Sequence, residues 1–211
     1  MRAARDASPF ASIEDVVHRA KLTRSDSLSL ARAGAFGGWE PDRHRAAWEA
    51  LRAVGDTLPF APTHHAAHDP APLSITDLVF LDYSTVGASI HGHPMESVRD
   101  RLRAWGALDS RDLQSLRTSG RRIVVGGLVT VRQRPETAGG TIFLLLEDEH
   151  GCMNIVVPKQ LVEKNEEVVK HAPFVLVQGR FERDGDEISV IGSRFRSLAV
   201  REIAYRSRDF H

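Results

Sequence analysis

Four arginines in the second half of the chain could bind phosphate groups. Arg132 and Arg134 follow one strand-like segment, while Arg180 lies on another and Arg183 at its end, at the mouth of the next hairpin. A guanidinium group presents a planar fork of N–H donors that matches phosphate oxygens, and backbone phosphates dominate the affinity of proteins for nucleic acids. These four residues are therefore candidate phosphate contacts. The alternative is that they are solvated surface charges.

Two phenylalanines, Phe143 and Phe181, lie in the same region and could stack against nucleic-acid bases. Both belong to strand-like segments that must also supply a hydrophobic core, so core packing is the competing interpretation for each. Asn154 and Lys159 are further, lesser candidates. The predicted nucleic-acid contacts are Arg132, Arg134, Phe143, Arg180 and Arg183.

Sequence motifs of catalysis are absent from the chain. It contains no phosphate-binding loop of the P-loop type, no Gly-x-Ser-x-Gly elbow and no His-Glu-x-x-His zinc motif. The acidic pairs Glu147-Asp148 and Glu166-Glu167 fall in a predicted turn and on a polar helix face, where solvation accounts for them. We therefore predict no catalytic residue and no cofactor.

A cluster of three histidines, His64, His65 and His68, invites a metal hypothesis. Asp69 is the one carboxylate close by, and the surrounding segment carries four prolines and no apolar period. A solvated linker is the better interpretation of this segment, so we predict no metal site.

The overall composition sets limits on partners. The chain has 211 residues with 28 basic and 28 acidic side chains, so no global positive field attracts it to a polyanion and any such site must be local. No segment is long and apolar enough to cross a membrane. The single cysteine, Cys152, excludes an internal disulfide, fits a cytoplasmic protein and is expected to be buried as a small apolar side chain.

Period-two apolar patterns after Gly120 predict five strands with one helix between the third and fourth. The strands cover residues 123–131, 141–146, 152–157, 174–183 and 187–198, and the helix begins at Pro158. This order is that of the OB-fold, a five-stranded barrel that binds oligonucleotides on its second and third strands. The glycines Gly126, Gly127 and Gly179 fall where long strands must bend. The four arginines are expected to converge on one cleft.

The first half of the chain is predicted to be helical, with Ser12 as the N-cap of an early helix and Gly34 ending the next. The predicted fold class is therefore α+β and multi-module. Its parts are a helical, helix-hairpin-helix-like region at 1–57, a linker at 58–74, a helical connector at 75–118, the OB domain at 119–200 and a tail at 201–211.

Several stretches resemble the error-prone branch of bacterial C-family DNA polymerases. In the barrel they are Gly127-Leu128-Val129-Thr130-Val131-Arg132-Gln133-Arg134-Pro135, Phe143-Leu144, Leu146-Glu147-Asp148-Glu149 and Asn154-Ile155-Val156-Val157. Upstream they are Leu30-Ala31-Arg32-Ala33-Gly34-Ala35-Phe36, Ala47-Trp48 and Gly92-His93-Pro94. The matching order runs through the helix-hairpin-helix segment, the connector and the OB domain of that family.

The resemblance implies a module that handles DNA beside a polymerase active site used in DNA repair and translesion synthesis. The family's palm, which carries the catalytic aspartates, has no counterpart in this sequence, so we expect no polymerase activity from the chain alone. The leading hypothesis is binding of DNA, single-stranded or template-primer, with polymerase or mutasome proteins as further partners and no membrane. The alternative is a protein-interaction adaptor of a replication or translesion-synthesis complex.

Overall fold

A computed structural model of the chain describes residues 2–55, 71–200 and 208–210; at 2–4 and 208–210 it describes the backbone alone. The chain divides into two compact units, Met1–Ser89 and Ile90–His211. Most of the linker predicted at 58–74 lies outside the described residues. The five-part division of the chain therefore stays a prediction.

The first unit is helical, as predicted. Its helices are α1 (Arg2–Ala7), α2 (Ile13–Arg19), α3 (Arg24–Arg32), α4 (Arg43–Val54) and α5 (Ile75–Thr85). The N-cap predicted at Ser12 is confirmed, because its hydroxyl accepts a hydrogen bond of 3.1 Å from the backbone N–H of Asp15. Gly34 follows α3 with a φ of +75°, which suits glycine at a helix end.

Apolar side chains from α2, α3 and α4 and the turn after α3 form the core of this unit around Ile13, Val16 and Phe36. An ion pair also joins α4 to α5, because the guanidinium of Arg43 donates a hydrogen bond to the buried carboxylate of Asp82. Ser89 donates to the other oxygen of Asp82 at 2.6 Å, so this carboxylate is held by two partners.

The second unit opens with short elements that precede the barrel. A 3-10 turn (Pro94–Val98) leads into α6 (Arg99–Ala104), followed by the short strand β1 (Ala107–Leu108) and helix α7 (Ser110–Ser115). β1 pairs in parallel with β2 (Arg122–Gln133), which attaches these elements to the side of the barrel.

The predicted OB-fold barrel is confirmed. β2 is followed by β3 (Ile142–Asp148), β4 (Gly151–Val157), β5 (Phe174–Asp184) and β6 (Glu187–Ser197). The strands pair in the order β2-β3-β4-β6-β5, and β5 pairs again with β2 to close the barrel. β4 and β6 run parallel and the other barrel pairs are antiparallel.

The predicted helix between the third and fourth barrel strands is present but interrupted. It consists of α8 (Lys159–Val162), a 3-10 turn (Glu163–Asn165) and α9 (Glu166–His171). Its buried residues Val162 and Val169 pack into the barrel core. A last short strand, β7 (Arg208–Phe210), pairs in parallel with the end of β2.

Glycines allow two strands of the barrel to approach their neighbours closely. A Cβ atom at Gly127 would lie 2.9 Å from the carbonyl oxygen of Glu147, and one at Gly179 would lie 2.5 Å from that of Ile191. Both positions therefore require glycine. The register of β5 against β6 shifts beside Gly179, whereas that of β2 against β3 shifts beyond the glycine pair, between Val129 and Val131.

Candidate nucleic-acid interface

The outer surface of β3 and β4 carries a patch of apolar and polar side chains, Phe143, Leu145, Asn154 and Val156, which we call the β3–β4 face. Phe143 lies opposite Val156 and Leu145 opposite Asn154 in the antiparallel pairing. Successive residues of a strand point to opposite sides, so their neighbours along each strand fill the barrel core. Phe143 is 38% exposed, which leaves its ring available to a ligand.

Two loops bound the β3–β4 face at its ends. The loop at residues 134–141 joins β2 to β3, and it lies at the end where Ile142 pairs with Val157. The hairpin at residues 185–186 joins β5 to β6, and it lies toward the opposite end because Asn154 pairs with Ser189 near the beginning of β6. In OB-folds these are the positions of the loops that flank a bound oligonucleotide.

Two cationic side chains lie at the end of this face nearest the 134–141 loop. Arg134 follows Gln133, which pairs with Phe143, and Lys159 begins α8, two residues after Val157. The aliphatic chain of Lys159 passes over Gly140, where an added Cβ would lie 3.2 Å from its Cδ. Both side chains are exposed, and neither makes a hydrogen bond or ion pair within the described part of the chain.

Arg132 is buried and is not exposed beside Arg134 and Lys159. It is 9% exposed, and its guanidinium donates to the backbone carbonyls of Val169 and Ala172 at the end of α9. These bonds join the helix to β2 and satisfy carbonyl groups that a helix end leaves unpaired. A guanidinium used in this way is poorly placed for a phosphate, and contact between Arg132 and DNA stays a prediction without support from this geometry.

Arg180 and Arg183 do not meet Arg132 and Arg134. Arg180 pairs with Arg122 at the beginning of β2, ten residues before Arg132, or about 33 Å along a fully extended strand. The expected convergence of four arginines on one cleft is therefore not seen. Arg180 is ion-paired with Glu182 at 2.7 Å.

The side chain of Arg183 is held by hydrogen bonds to backbone carbonyl groups. Its Nε donates to the carbonyl of Leu116 at 3.1 Å and its Nη2 to that of Gln114 at 2.8 Å. These bonds hold the end of α7 and the residue after it against the end of β5. Its contact with DNA likewise stays a prediction.

The structure separates the two phenylalanines. Phe181 is fully buried and belongs to the barrel core, which confirms core packing for this residue. Phe143 points outward from β3, which is the orientation that base stacking requires.

Two expectations about polar residues are wrong. Asp148 is buried rather than solvated, since one carboxylate oxygen accepts hydrogen bonds from the Ser110 N–H at 2.8 Å and from Arg99 at 3.3 Å. Cys152 is exposed on β4, where its neighbour across the pair is Glu147. It lies outside because Met153 and Ile155, on alternate positions, take the inward places.

Asp148 belongs to an ionic cluster that sequence patterns did not indicate. Arg99 also donates to both oxygens of Glu149. Burial raises the pKa of the Glu149 carboxyl, but the hydrogen bond and charge of Arg99 outweigh it and hold the pKa below its usual value. This cluster connects α6 to the turn between β3 and β4.

Other classes of site receive no support from the residues that the structure describes. Within residues 2–55, 71–200 and 208–210, no group of three or more histidine, cysteine, aspartate or glutamate side chains is arranged to hold a metal ion. The three linker histidines lie outside these residues. In the same described segments, no helix has the length and apolar character needed to span a membrane.

The sequence resemblance is confirmed by comparison with known proteins. Over 99% of its length the chain is 41% identical to an error-prone DNA polymerase of Anaeromyxobacter dehalogenans and covers 18% of that protein. It is 38% identical, again over 99% of its length, to the error-prone DNA polymerase of Pseudomonas fluorescens and covers 21% of it. The chain thus spans about a fifth of these relatives. No protein-family model matches it.

Solved structures match a smaller part of the chain. The match to asparaginyl-tRNA synthetase from Pyrococcus horikoshii covers 37% of this chain and 20% of the synthetase chain, with 26% sequence identity and a TM-score of 0.33. The match to a chain of the Stn1-Ten1 complex of S. pombe covers 37% of this chain and 59% of the other, with 20% sequence identity and a TM-score of 0.30. These TM-scores are too low to support any inference about function.

Proposed function

We propose that this chain is a DNA-binding module that holds a single strand across the β3–β4 face. The observation that supports it most is the exposed ring of Phe143 on the surface that OB-folds use for oligonucleotides, between the two flanking loops. The similarity to error-prone DNA polymerases favours DNA over other polyanions. We assign no catalytic residue to the chain, and a role in repair or translesion synthesis is part of the proposal.

The charge distribution suits a single strand. Arg134 and Lys159 place two cations near Phe143 that make no hydrogen bond or ion pair with a described residue, although the whole chain has a formal net charge of zero. A strand whose phosphates lie along these cations can place an unstacked base against the ring. Bases within a duplex already stack on one another and are not available in this way.

Replacing Phe143 by Ala is expected to weaken binding of oligothymidylate by about 1–3 kcal/mol, because one base loses its stacking partner. The slope of log affinity against log salt concentration should stay nearly unchanged, since every phosphate keeps its cation. Fluorescence anisotropy of a labelled oligonucleotide at several salt concentrations measures both quantities. Phe143→Tyr keeps an aromatic ring and is the matched control. Equal affinity of the Ala and Tyr variants would rule out stacking at this position.

Replacing Arg134 and Lys159 together by Ala should instead flatten the salt dependence. Each single-strand phosphate that no longer meets a cation is expected to lower the magnitude of the slope by about 0.7. The same titrations test this. The double variant Arg117→Ala and Lys164→Ala removes the same charge from exposed positions that make no hydrogen bond or ion pair within the described residues. If both double variants change the slope equally, the effect is one of net charge, and Arg134 and Lys159 do not bind phosphates.

A protein-interaction adaptor is the second candidate function. The observation that favours it is the apolar strip that Leu145 and Val156 form beside Phe143, which a protein partner such as a polymerase or mutasome component could cover. Under this alternative the oligonucleotide titrations above would give no difference between the Phe143→Ala variant and the parent chain.

A further inference from the structure

A second candidate binding surface lies on a different side of the barrel. It is a groove of about 590 Å³ between α6 and the outer surface of β2, β5 and β6. Three arginines, Arg101, Arg194 and Arg196, line it together with Trp105. We call it the arginine groove.

The arginine groove is separate from the β3–β4 face. Its central strand is β5, which is separated from β3 by β2 and from β4 by β6 in the closed barrel. Leu176 and Gln178 of β5 pair with Arg196 and Arg194 of β6, respectively. The groove therefore follows the β5–β6 pair, and a ligand of the β3–β4 face does not fill it.

The positive charge of the groove is concentrated on β6 and has no acidic partner among the described residues. Arg194 and Arg196 flank the buried Phe195 on β6, so both point outward, about 6.6 Å apart along the strand. Neither makes a hydrogen bond or ion pair with a described residue, and the described lining contains no acidic side chain. Two cations this close on one strand repel each other, and an anion bound between them would offset that repulsion.

Trp105 gives the groove an aromatic wall. Trp105 is 54% exposed, so part of its ring is open to a ligand. Arg101 lies against it, with the guanidinium carbon 5.5 Å from the ring centre, and donates to the carbonyl of Ala199 at 2.9 Å. The side chains of Val124 and Leu176 add an apolar lining beside these groups.

We propose that the arginine groove binds one nucleotide of a single DNA strand. Arg194 and Arg196 contact the phosphates on either side of this nucleotide, and Trp105 lies against its base. An acidic peptide would satisfy the arginines, but it would leave the aromatic wall and the amide of Gln178 without a matching group. A nucleotide supplies a phosphate, a flat π-surface and polar base edges together. This inference takes DNA as ligand from the proposed function and adds a site that the β3–β4 face does not include.

The fluorescence of Trp105 can report on this groove directly. Trp39 and Trp48 are the other two tryptophans of the chain, so a Trp39→Phe and Trp48→Phe background leaves Trp105 as the single one. The full chain in this background is titrated with oligothymidylate while its emission and the anisotropy of a labelled oligonucleotide are followed. We expect the emission to be quenched with the same midpoint as the change in anisotropy.

Substitution of the arginines tests whether the groove holds the strand. Arg194→Ala with Arg196→Ala should abolish the quenching of Trp105 and flatten the salt slope by about 0.7 for each phosphate that the groove no longer binds. The matched control is again Arg117→Ala with Lys164→Ala, which removes equal charge outside the groove. We expect the control to keep the quenching.

The outcomes separate this site from the β3–β4 face. Binding seen by anisotropy with unchanged Trp105 emission, or equal effects of the two double variants, would overturn the groove and leave the proposed function intact. Loss of binding in Arg194→Ala with Arg196→Ala, together with normal binding in Phe143→Ala, would support the groove and overturn the β3–β4 face. Absence of any oligothymidylate binding by the parent chain would overturn both sites.

Discussion

Replacing Arg99 by Met is expected to lower the free energy of unfolding by about 3–5 kcal/mol at neutral pH, the range for removal of one partner from a buried ion pair. The Arg99 side chain is 7% exposed and contacts the carboxylates of both Asp148 and Glu149. Met fills a similar volume without the charge, so it leaves two carboxylates without their cation. Asp148 keeps its hydrogen bonds from Ser110, whereas Glu149 loses its main partner.

The pH dependence of the same variant follows from the sign of the shift at Glu149. Its pKa in the folded chain lies below the ordinary value of 4.5, despite burial, because of Arg99. The pair therefore stabilises the fold above that ordinary value, and the contribution is lost as the pH falls through the lowered pKa. Arg99→Met removes the hydrogen bond and the charge of Arg99. Burial, which favours the neutral acid, is then opposed only by a backbone hydrogen bond and the charge of His150. The difference in free energy of unfolding between the parent chain and Arg99→Met should therefore become smaller as the pH falls below 4.5.

Urea unfolding at neutral and acidic pH measures both effects. Arg103→Met is the matched control, because Arg103 also pairs with a carboxylate, that of Asp109 at 3.5 Å, but its own side chain is 59% exposed. Since water screens the exposed Arg103 guanidinium, we expect this pair to contribute only about 0–1 kcal/mol, although Asp109 itself is buried. Equal, small losses in both variants would mean that the Arg99 cluster is solvated like an ordinary surface pair.

The barrel could be predicted from the sequence because its signals are local. Alternating apolar residues mark each strand, and the Asp184-Gly185-Asp186 turn lies where β5 ends and β6 begins. The strand and helix order then leaves few topologies, and the OB-fold is one of them. The outward position of Phe143 follows from the same alternation once β3 is known.

The environments of the arginines could not be predicted in this way, because they depend on residues far along the chain. Arg132 is buried by carbonyl groups at the end of α9, 37 and 40 residues later. Asp148 is buried by the N-terminus of α7, 38 residues earlier. Arg180 and Arg132 are separated because β2 is 12 residues long and its two ends pair with different strands. The pattern of charges along a sequence does not indicate which distant residues will lie next to each other in the fold.

Replacing Phe181 by Ala is expected to cost about 3–5 kcal/mol of stability, since a large side chain is removed from a fully packed site. Phe181 is 0% exposed within the barrel core and pairs with Val190 across β5 and β6. Its backbone N–H and carbonyl bond to Arg121 and Gly120 at 2.8 Å each, and the substitution leaves these bonds available. The loss should therefore come from the cavity, and thermal or urea unfolding measures it.

Phe143→Ala is the matched control for this variant, because the same atoms are removed from the outer side of the same barrel. It should cost about 1 kcal/mol of stability or less, as substitutions at exposed positions do. Once oligonucleotide affinity is corrected for the folded fraction, Phe181→Ala should bind like the parent chain and Phe143→Ala should bind more weakly. If Phe181→Ala lowers affinity while the fold stays intact, the ring acts at the ligand site rather than in the core. If the two variants lose equal stability, Phe143 is a packing residue, and the β3–β4 face is left without the aromatic platform on which its assignment rests.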